Sequence, residues 1–181
     1  KLLSYFMLND FQLYESIHIN PNLINNELQL LTDKQVKELK KQTITRNDTV
    51  LWNEKFTTHY YFPNKNTYKG DLYILMDGAT YSSATHAVQV LKHRMNTLFF
   101  GTETGGTGIG SNAGKTLTTK LNNSNFELHI PLMQGIYKTN QVFSTTSGIL
   151  PDKYCGNELL MELKYPDICL LNVLEYIAKN K

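Results

Sequence analysis

Two adjacent serines, Ser82 and Ser83, stand between a short apolar run and a segment with helical periodicity. Residues 72–76 show no polar alternation, which is typical of a strand covered on both faces. From Ala84 onward the apolar residues recur every three or four positions, which predicts a helix. Because the first amides of a helix lack partners and its dipole favours negative charge, a serine at this junction lies beside groups that stabilise an oxyanion. Its chemistry would be nucleophilic attack on a carbonyl.

The same two serines have a simpler interpretation, which is helix capping, since serine is a preferred N-cap residue. The nucleophile-elbow pattern G-x-S-x-G is not matched, because Thr80 and Ala84 occupy the positions of its two glycines. The local pattern therefore leaves capping and catalysis open.

Further motifs follow the serine pair in a fixed order. The strand-like residues 97–101 run into a glycine-rich loop that contains Gly105 and Gly106, and Gly-Ile-Leu-Pro-Asp follows at 148–152. Together with Asp-Gly at 77–78 and Thr-Tyr-Ser-Ser-Ala at 80–84, these motifs resemble the C-terminal processing and tricorn-core family of serine peptidases. The resemblance covers about residues 68–179.

The resemblance implies an α/β (α+β) fold with a Clp-protease/crotonase-like core of β-β-α turns, truncated at its N-terminal side. It also implies a serine-type peptidase that hydrolyses peptide bonds through an acyl-enzyme, without a cofactor or a metal. Counting five positions past Asp77 gives Ser82 as the nucleophile, with Ser83 as the alternative. The N–H of Ser83 would then be the oxyanion donor. Gly105 and Gly106 would shape the groove that binds a peptide or protein substrate.

The general base that a serine nucleophile requires is missing from the matching positions. The C-terminal processing branch carries a lysine in its glycine-rich loop, whereas this loop reads Gly-Gly-Thr-Gly at 105–108 and Lys115 lies too far along. The tricorn branch uses a histidine from an earlier segment and a glutamate, whose position Thr145 occupies. We therefore expect the base to come from an upstream segment or domain of the same protein. The alternative is a catalytically inactive relative that binds a peptide or another ligand.

The histidine nearest in sequence offers no better base. His86 lies one helical turn after Ser82, where a side chain points away from the N-terminal cleft. We expect a solvated histidine on a polar helix face that it shares with Gln89 and His93. Glu103, beside the glycine loop, is expected to have a surface or loop-ordering role.

Other ligand classes find little support in the sequence. Residues 109–116 end like a P-loop, but Ile109 stands where the first glycine is required and the following residues indicate a strand. A looser dinucleotide-type match at 108–113 also lacks the helix that would hold a pyrophosphate. Nothing indicates an adenine or thioester pocket, so a crotonase-like acyl-thioester enzyme is the weakest alternative. The net charge is +2 with basic residues spread thinly, so no nucleic-acid partner is expected.

The 181 residues are expected to form a single catalytic-type domain, the C-terminal part of a longer protein, with 20–66 as a peripheral loop and helix insertion. No apolar run approaches the roughly 20 residues of a membrane span. A location in the cell envelope, or secretion, follows from the resemblance only. Cys155 and Cys169 suit a reduced protein or one disulfide equally well, and no histidine stands at metal-ligand spacing to either.

Periodicity and capping signals predict the remaining elements. Thr32 opens a capping box for a short helix to about Lys41, and 115–121 with 126–132 predict a hairpin. Residues 20–26 are predicted to form a loop, and 43–53 show no clear period. A last helix is predicted from Pro166, with a buried stripe formed by Leu170, Leu171, Leu174, Ile177 and Ala178.

Overall fold

The computed structural model describes residues 1–25, 31–54, 59–112, 114, 116–155 and 167–180. The chain divides into two compact units. The first unit comprises Lys1–Asp10, Phe62–Gly108 and Gln141–Lys181, and the second comprises Phe11–Tyr61 and Ile109–Asn140.

Short strands and helices follow one another along the described part of the chain. The N-terminal part contains a 3-10 helix (Leu3–Tyr5), β1 (Phe11–Gln12), β2 (Tyr14–Ile19), α1 (Pro21–Ile24), α2 (Asp33–Gln42), β3 (Thr43–Arg46), β4 (Thr49–Trp52) and β5 (Tyr60–Tyr61). The central part contains β6 (Leu72–Met76), α3 (Ser83–Leu91), β7 (Thr97–Gly101) and β8 (Gly110–Ser111). The C-terminal part contains β9 (Thr116–Lys120), β10 (Glu127–Pro131), β11 (Met133–Tyr137), β12 (Lys153–Tyr154) and α4 (Ile168–Asn180).

A parallel three-stranded sheet, in the order β12–β7–β6, forms the centre of the first unit. The β6–β7 register runs from Leu72 opposite Thr97 to Met76 opposite Gly101. Parallel neighbours require a crossover connection, and α3 supplies it. The bounds predicted for both strands from their continuous apolar runs are confirmed.

Helix α3 is buried over most of its surface. Six of its residues are buried: Thr85, His86, Val88, Gln89, Val90 and Leu91. The prediction of a solvated His86 on a polar face is therefore wrong, because the middle turns of the helix are buried on nearly every side, at polar as well as apolar side chains. His93 follows the helix by two residues and is exposed overall. Its ring is partly buried, and this burial lowers the pKa of the imidazole.

A disulfide between Cys155 and Cys169 joins the end of β12 to the first turn of α4, with the two Cα atoms 5.4 Å apart. Of the two states that the sequence left open, the structure therefore has the disulfide. Both cysteines are buried in a cluster with Phe100 and Val173.

The buried face of α4 differs from the predicted leucine stripe. Cys169 and Val173 are buried, whereas Leu170, Leu171 and Leu174 are 44–53% exposed. Leucines lie on more than one side of this helix, so periodicity alone did not fix its rotation, and the disulfide and the Phe100 cluster do.

Arg94, just after α3, is 5% exposed and connects distant parts of the first unit. Its guanidinium donates hydrogen bonds to five backbone carbonyls, at 2.7–3.2 Å. These carbonyls belong to Phe6, Tyr68, Gly70, Met95 and Asn96. One buried cation thus fixes the N-terminal segment, the residues before β6 and the turn before β7.

Asp152, the last residue of the Gly-x-x-Pro-Asp motif, joins α3 to the sheet. Its Oδ1 accepts a hydrogen bond from Lys92 Nζ at 2.8 Å, and its Oδ2 accepts one from the N–H of Phe99 at 2.8 Å. The Lys92 ammonium also lies 4.3 Å from the centroid of the Phe99 ring. These contacts give the motif a structural role in this unit.

Replacing Asp152 by alanine is expected to lower the free energy of unfolding by about 1–3 kcal/mol, because the Phe99 N–H loses its acceptor. Asp152→Asn keeps one acceptor oxygen and should cost less. Urea denaturation of the two variants measures the difference. Unchanged stability in Asp152→Ala would contradict the role given to this carboxylate.

The second unit is built on a five-stranded antiparallel sheet in the order β3–β4–β2–β11–β8. The hairpin β3–β4 forms where no period was found, because Asn47 and Asp48 both have positive φ in a two-residue turn. That conformation matches the twist of the flanking strands, and the Asn-Asp pair was its signal. The predicted hairpin at 115–132 is confirmed as β9 paired with β10.

Helix α2 closes one side of the core of the second unit. Thr32 and Gln35 form the predicted capping box, and the helix continues to Gln42. The buried core consists of Ile19, Ile24, Leu31, Leu39, Val50 and Leu132. The predicted loop at 20–26 instead begins with the short α1, and residue 26 lies outside the described residues.

The chain is thus a mixed α+β protein with several sheets, as predicted. The Clp-protease/crotonase-like core remains a prediction, as does the single catalytic-type domain with its insertion at 20–66. Of that segment, residues 20–61 belong to the second unit and 62–66 to the first. No helix among the described residues is long and apolar enough to span a bilayer.

Candidate active site

Ser82 lies between the end of β6 and the start of α3, with φ 54° and ψ −119°. Residues with a side chain rarely adopt this region, and such outliers cluster at functional sites. A strained turn from strand to helix is also how a nucleophile elbow exposes its hydroxyl. The backbone at Ser82 therefore has the shape of a nucleophile turn, although the glycine pattern of the elbow is absent.

The Ser82 side chain makes no capping hydrogen bond, so this serine does not act as a side-chain N-cap. Ser82 is partly buried and Ser83 is exposed. The first helical turn of α3 follows them, and in it the N–H of His86 donates a hydrogen bond to the Ser82 carbonyl at 3.0 Å. Within the described part of the chain no backbone carbonyl accepts the N–H of Ser82 or Ser83, as is usual for amides at the start of a helix.

Thr80 anchors the chain two residues before Ser82. Its carbonyl accepts hydrogen bonds from the N–H of Gly105 at 3.1 Å and from Thr85 Oγ1 at 2.8 Å. Thr85 is 1% exposed and faces the turn, a role that was not predicted from the sequence. The available signal was a threonine in the first turn of a helix, since its hydroxyl commonly bonds a nearby backbone carbonyl.

Gly105 and Gly106 lie directly against this turn. A Cβ atom on Gly105 would stand 2.2 Å from the carbonyl oxygen of Gly78, and one on Gly106 would stand 2.5 Å from Thr85 Oγ1. Neither position has room for a side chain, because Gly105 packs against the backbone of the turn and Gly106 packs against the side chain of Thr85. Their contact with a substrate remains a prediction.

Replacing Gly105 by alanine is expected to push the loop away from the turn and break its hydrogen bond to Thr80. We expect the free energy of unfolding to fall by about 1–3 kcal/mol. We also expect the rate at which a fluorophosphonate labels Ser82 to fall by about tenfold or more. Gly78→Ala is the matched control, because a Cβ atom there meets nothing within 4 Å. Similar behaviour of the two variants, in urea denaturation and in labelling, would count against this packing.

The other side of the glycine loop is tied to the segment at 148–149. The N–H of buried Thr104 donates to the carbonyl of Ile149 at 3.1 Å, and the N–H of Ile149 donates to Thr104 Oγ1 at 2.8 Å. Glu103 Oε1 accepts a hydrogen bond from the N–H of Gly148 at 2.5 Å. This contact agrees with the loop-ordering role predicted for Glu103.

Three positions were considered in the sequence for acid and base chemistry, namely Lys115, Thr145 and His86. Lys115 lies outside the described residues, and Thr145 is exposed. His86 is buried in α3, so its ring does not stand on the solvent face where it was expected. No group of three or more His, Cys, Asp or Glu side chains in the described ranges could hold a metal ion.

No model of a known protein family matches the sequence, and no curated protein matches it. Among solved structures, a lipoprotein from Streptococcus agalactiae is 17% identical with a TM-score of 0.47, over 99% of this chain and 48% of that one. Mature CPAF complexed with lactacystin is 15% identical with a TM-score of 0.52, over 84% of this chain and 35% of that one. Mature CPAF alone is 14% identical with a TM-score of 0.49, over 84% of this chain and 35% of that one.

These comparisons describe a distant structural likeness. The chain spans about half the length of the lipoprotein and about a third of CPAF. The structural similarity to CPAF is weak. At 15% identity the similarity concerns the fold alone.

The strain at Ser82 predicts an increase in stability when the residue becomes glycine. Ser82→Gly removes a conformational cost of about 1–3 kcal/mol and adds back about 0.5–1 kcal/mol of unfolded-state entropy. We expect a net gain of roughly 0.5–2 kcal/mol in the free energy of unfolding. Ser82→Ala is the control, because alanine keeps the strain. Equal stability of the glycine and alanine variants in urea denaturation would show that the backbone of Ser82 is unstrained.

Proposed function

We propose that this protein is a serine-type peptidase in which Ser82 attacks the carbonyl carbon of a peptide bond. The observation that carries the proposal is the strained backbone of Ser82 at the junction of a parallel strand and a helix. Because no side-chain cap accounts for this conformation, a functional reason is the better explanation.

The proposed reaction follows the logic of acyl transfer. Ser82 Oγ forms a bond to the carbonyl carbon while its proton passes to a general base, and the carbonyl oxygen becomes an oxyanion. The N–H of Ser83 stabilises that oxyanion at the start of α3. The amine product then leaves with a proton from the base, and water hydrolyses the acyl-enzyme. Gly105 and Gly106 keep the loop close to the turn, beside the path of an extended peptide.

The general base is proposed to come from another part of the same protein, because the matching positions in this sequence hold no lysine or glutamate. A peptide or protein is the proposed substrate. Support comes from the sequence motifs and from a similar fold, that of CPAF, which has been solved with lactacystin bound. The disulfide between Cys155 and Cys169 supports an oxidising location, such as the cell envelope or the exterior.

A second candidate is a catalytically inactive relative that binds peptides. Thr145 in the position of the acid, and a glycine loop at 105–108 without a lysine, favour this candidate. The strain at Ser82 favours the peptidase, because a binding module has no need of a presented hydroxyl.

Hydrolysis of internally quenched fluorescent peptides by the full-length protein separates the two candidates. The peptidase predicts turnover with an initial burst of at most one product molecule per protein molecule, retained in Ser83→Ala. Peptide binding measured by fluorescence anisotropy without any turnover would support the binding module and overturn the peptidase.

A further inference from the structure

We infer that Asp77 is a positioning residue that holds Ser82 in its strained conformation. The inference rests on the proposed function, because it names a residue that would orient the nucleophile. Asp77 is the residue after β6 and lies on the surface of the first unit.

The carboxylate of Asp77 organises the turn that precedes Ser82. Its Oδ1 accepts hydrogen bonds from the N–H of Ala79 at 2.9 Å, from the N–H of Thr80 at 3.0 Å and from Thr80 Oγ1 at 3.3 Å. The backbone takes part as well, since the N–H of Asp77 donates to Thr80 Oγ1 at 3.0 Å. Asp77 therefore holds both the amide and the hydroxyl of Thr80.

The third polar group of Thr80, its carbonyl, is held by Thr85 and Gly105. Every polar group of Thr80 is thus bonded, and only Tyr81 separates it from Ser82. On the other side of Ser82, α3 is fixed by its buried residues. Ser82 connects the turn at Thr80 to the start of α3, and both are held in place. Its positive φ is the backbone conformation that links them. Strain of this kind persists only where the surroundings over-determine it.

A carboxylate suits this task because one anionic oxygen accepts several hydrogen bonds, and charge-assisted bonds are the stronger ones. Asparagine offers the same oxygen without the charge, so Asp77→Asn should preserve the geometry in weakened form. Alanine removes the side-chain acceptor and leaves the Thr80 N–H only its hydrogen bond to the backbone carbonyl of residue 77, at 2.9 Å. A competing interpretation is a turn that merely stabilises the end of β6, in which case Asp77 would affect stability and leave Ser82 unchanged.

The experiment combines reactivity and stability in the full-length protein. We expect Asp77→Ala to lower the rate of labelling by a fluorophosphonate, and kcat for peptides, by at least about tenfold, with KM nearly unchanged. Asp77→Asn should restore most of both rates. Asp71→Ala, which changes an exposed aspartate at the opposite end of β6 whose side chain makes none of these contacts, should leave them unchanged.

The same substitution is also made in a Ser82→Gly background, and the urea midpoints of all four proteins are compared. If Asp77 maintains the strain, its loss lets Ser82 relax, so Asp77→Ala should lower the midpoint less in the wild type than in the glycine background. Equal shifts in both backgrounds would overturn the inference. So would unchanged labelling and kcat in Asp77→Ala of a reactive protein.

Two further outcomes, an unreactive wild type and an unfolded Asp77→Ala variant, can each be interpreted. A wild-type protein that neither labels nor hydrolyses peptides would refute the proposed function, while the four midpoints would still decide whether Asp77 holds Ser82 in place. If Asp77→Ala does not fold, Thr80→Val takes its place, because it removes only the hydroxyl bridge to Asp77. Thr80→Ser, which keeps that hydroxyl, is then its matched control.

Discussion

Replacing Ser82 by alanine is expected to lower kcat/KM for peptide hydrolysis by roughly 10³- to 10⁶-fold, the range for loss of a serine nucleophile. Alanine retains the backbone strain and removes only the hydroxyl. Ser83→Ala should cost less than about tenfold, because Ser83 contributes its backbone N–H, which alanine also provides.

Steady-state kinetics on quenched peptides measures both variants, and urea denaturation confirms that each is folded. A larger loss in Ser83→Ala than in Ser82→Ala would make Ser83 the nucleophile, which is the alternative left open by the sequence. Equal activity of Ser82→Ala and the wild type would remove Ser82 from the mechanism.

The second large effect is expected at Arg94, which contributes to stability. Arg94→Met should lower the free energy of unfolding by about 3–5 kcal/mol, because five backbone carbonyls lose their donor at once. Arg94→Lys should recover at most half of this loss. An ammonium is a compact group with three donors and cannot reproduce a planar fork that reaches several segments.

Arg46→Met is the matched control for Arg94, because Arg46 pairs with Glu54 on the surface of the second unit and is 60% exposed. Its loss should change the free energy of unfolding by no more than about 1 kcal/mol. Urea denaturation of the three variants measures the differences. Wild-type stability in Arg94→Lys would contradict the geometric argument, and a small effect in Arg94→Met would contradict the role of the buried cation.

Local patterns predicted the elements that local interactions specify. The apolar runs of β6 and β7 indicated buried parallel strands, and Thr32 with Gln35 indicated the start of α2. The hairpin β3–β4 was missed because its strands show no alternation, so that only the turn at 47–48 gave a signal.

Long-range contacts explain the errors on the helices. The rotation of α4 depends on a disulfide to Cys155, and the burial of His86 depends on what packs around α3. Arg94 gave no signal, because its partners are backbone carbonyls spread from Phe6 to Asn96. Sequence periodicity carries no information about such partners.

In the candidate site too, local features could be predicted from the sequence and features that depend on long-range contacts could not. The strand, turn and helix around Ser82 could be predicted from residues 71–92. The strained φ of Ser82 could not, because it depends on Gly105, Thr85 and Asp77 acting together. The tie between Thr104 and Ile149 spans 45 residues and lies equally beyond local patterns.

The most direct test of the central claim is the position of the adduct that forms when the full-length protein reacts with a fluorophosphonate. Intact-mass and peptide-mapping mass spectrometry should find a single adduct on Ser82, which disappears in Ser82→Ala and remains in Ser83→Ala. An adduct on Ser83, or no adduct on the full-length protein, would contradict the claim that Ser82 is presented as a nucleophile.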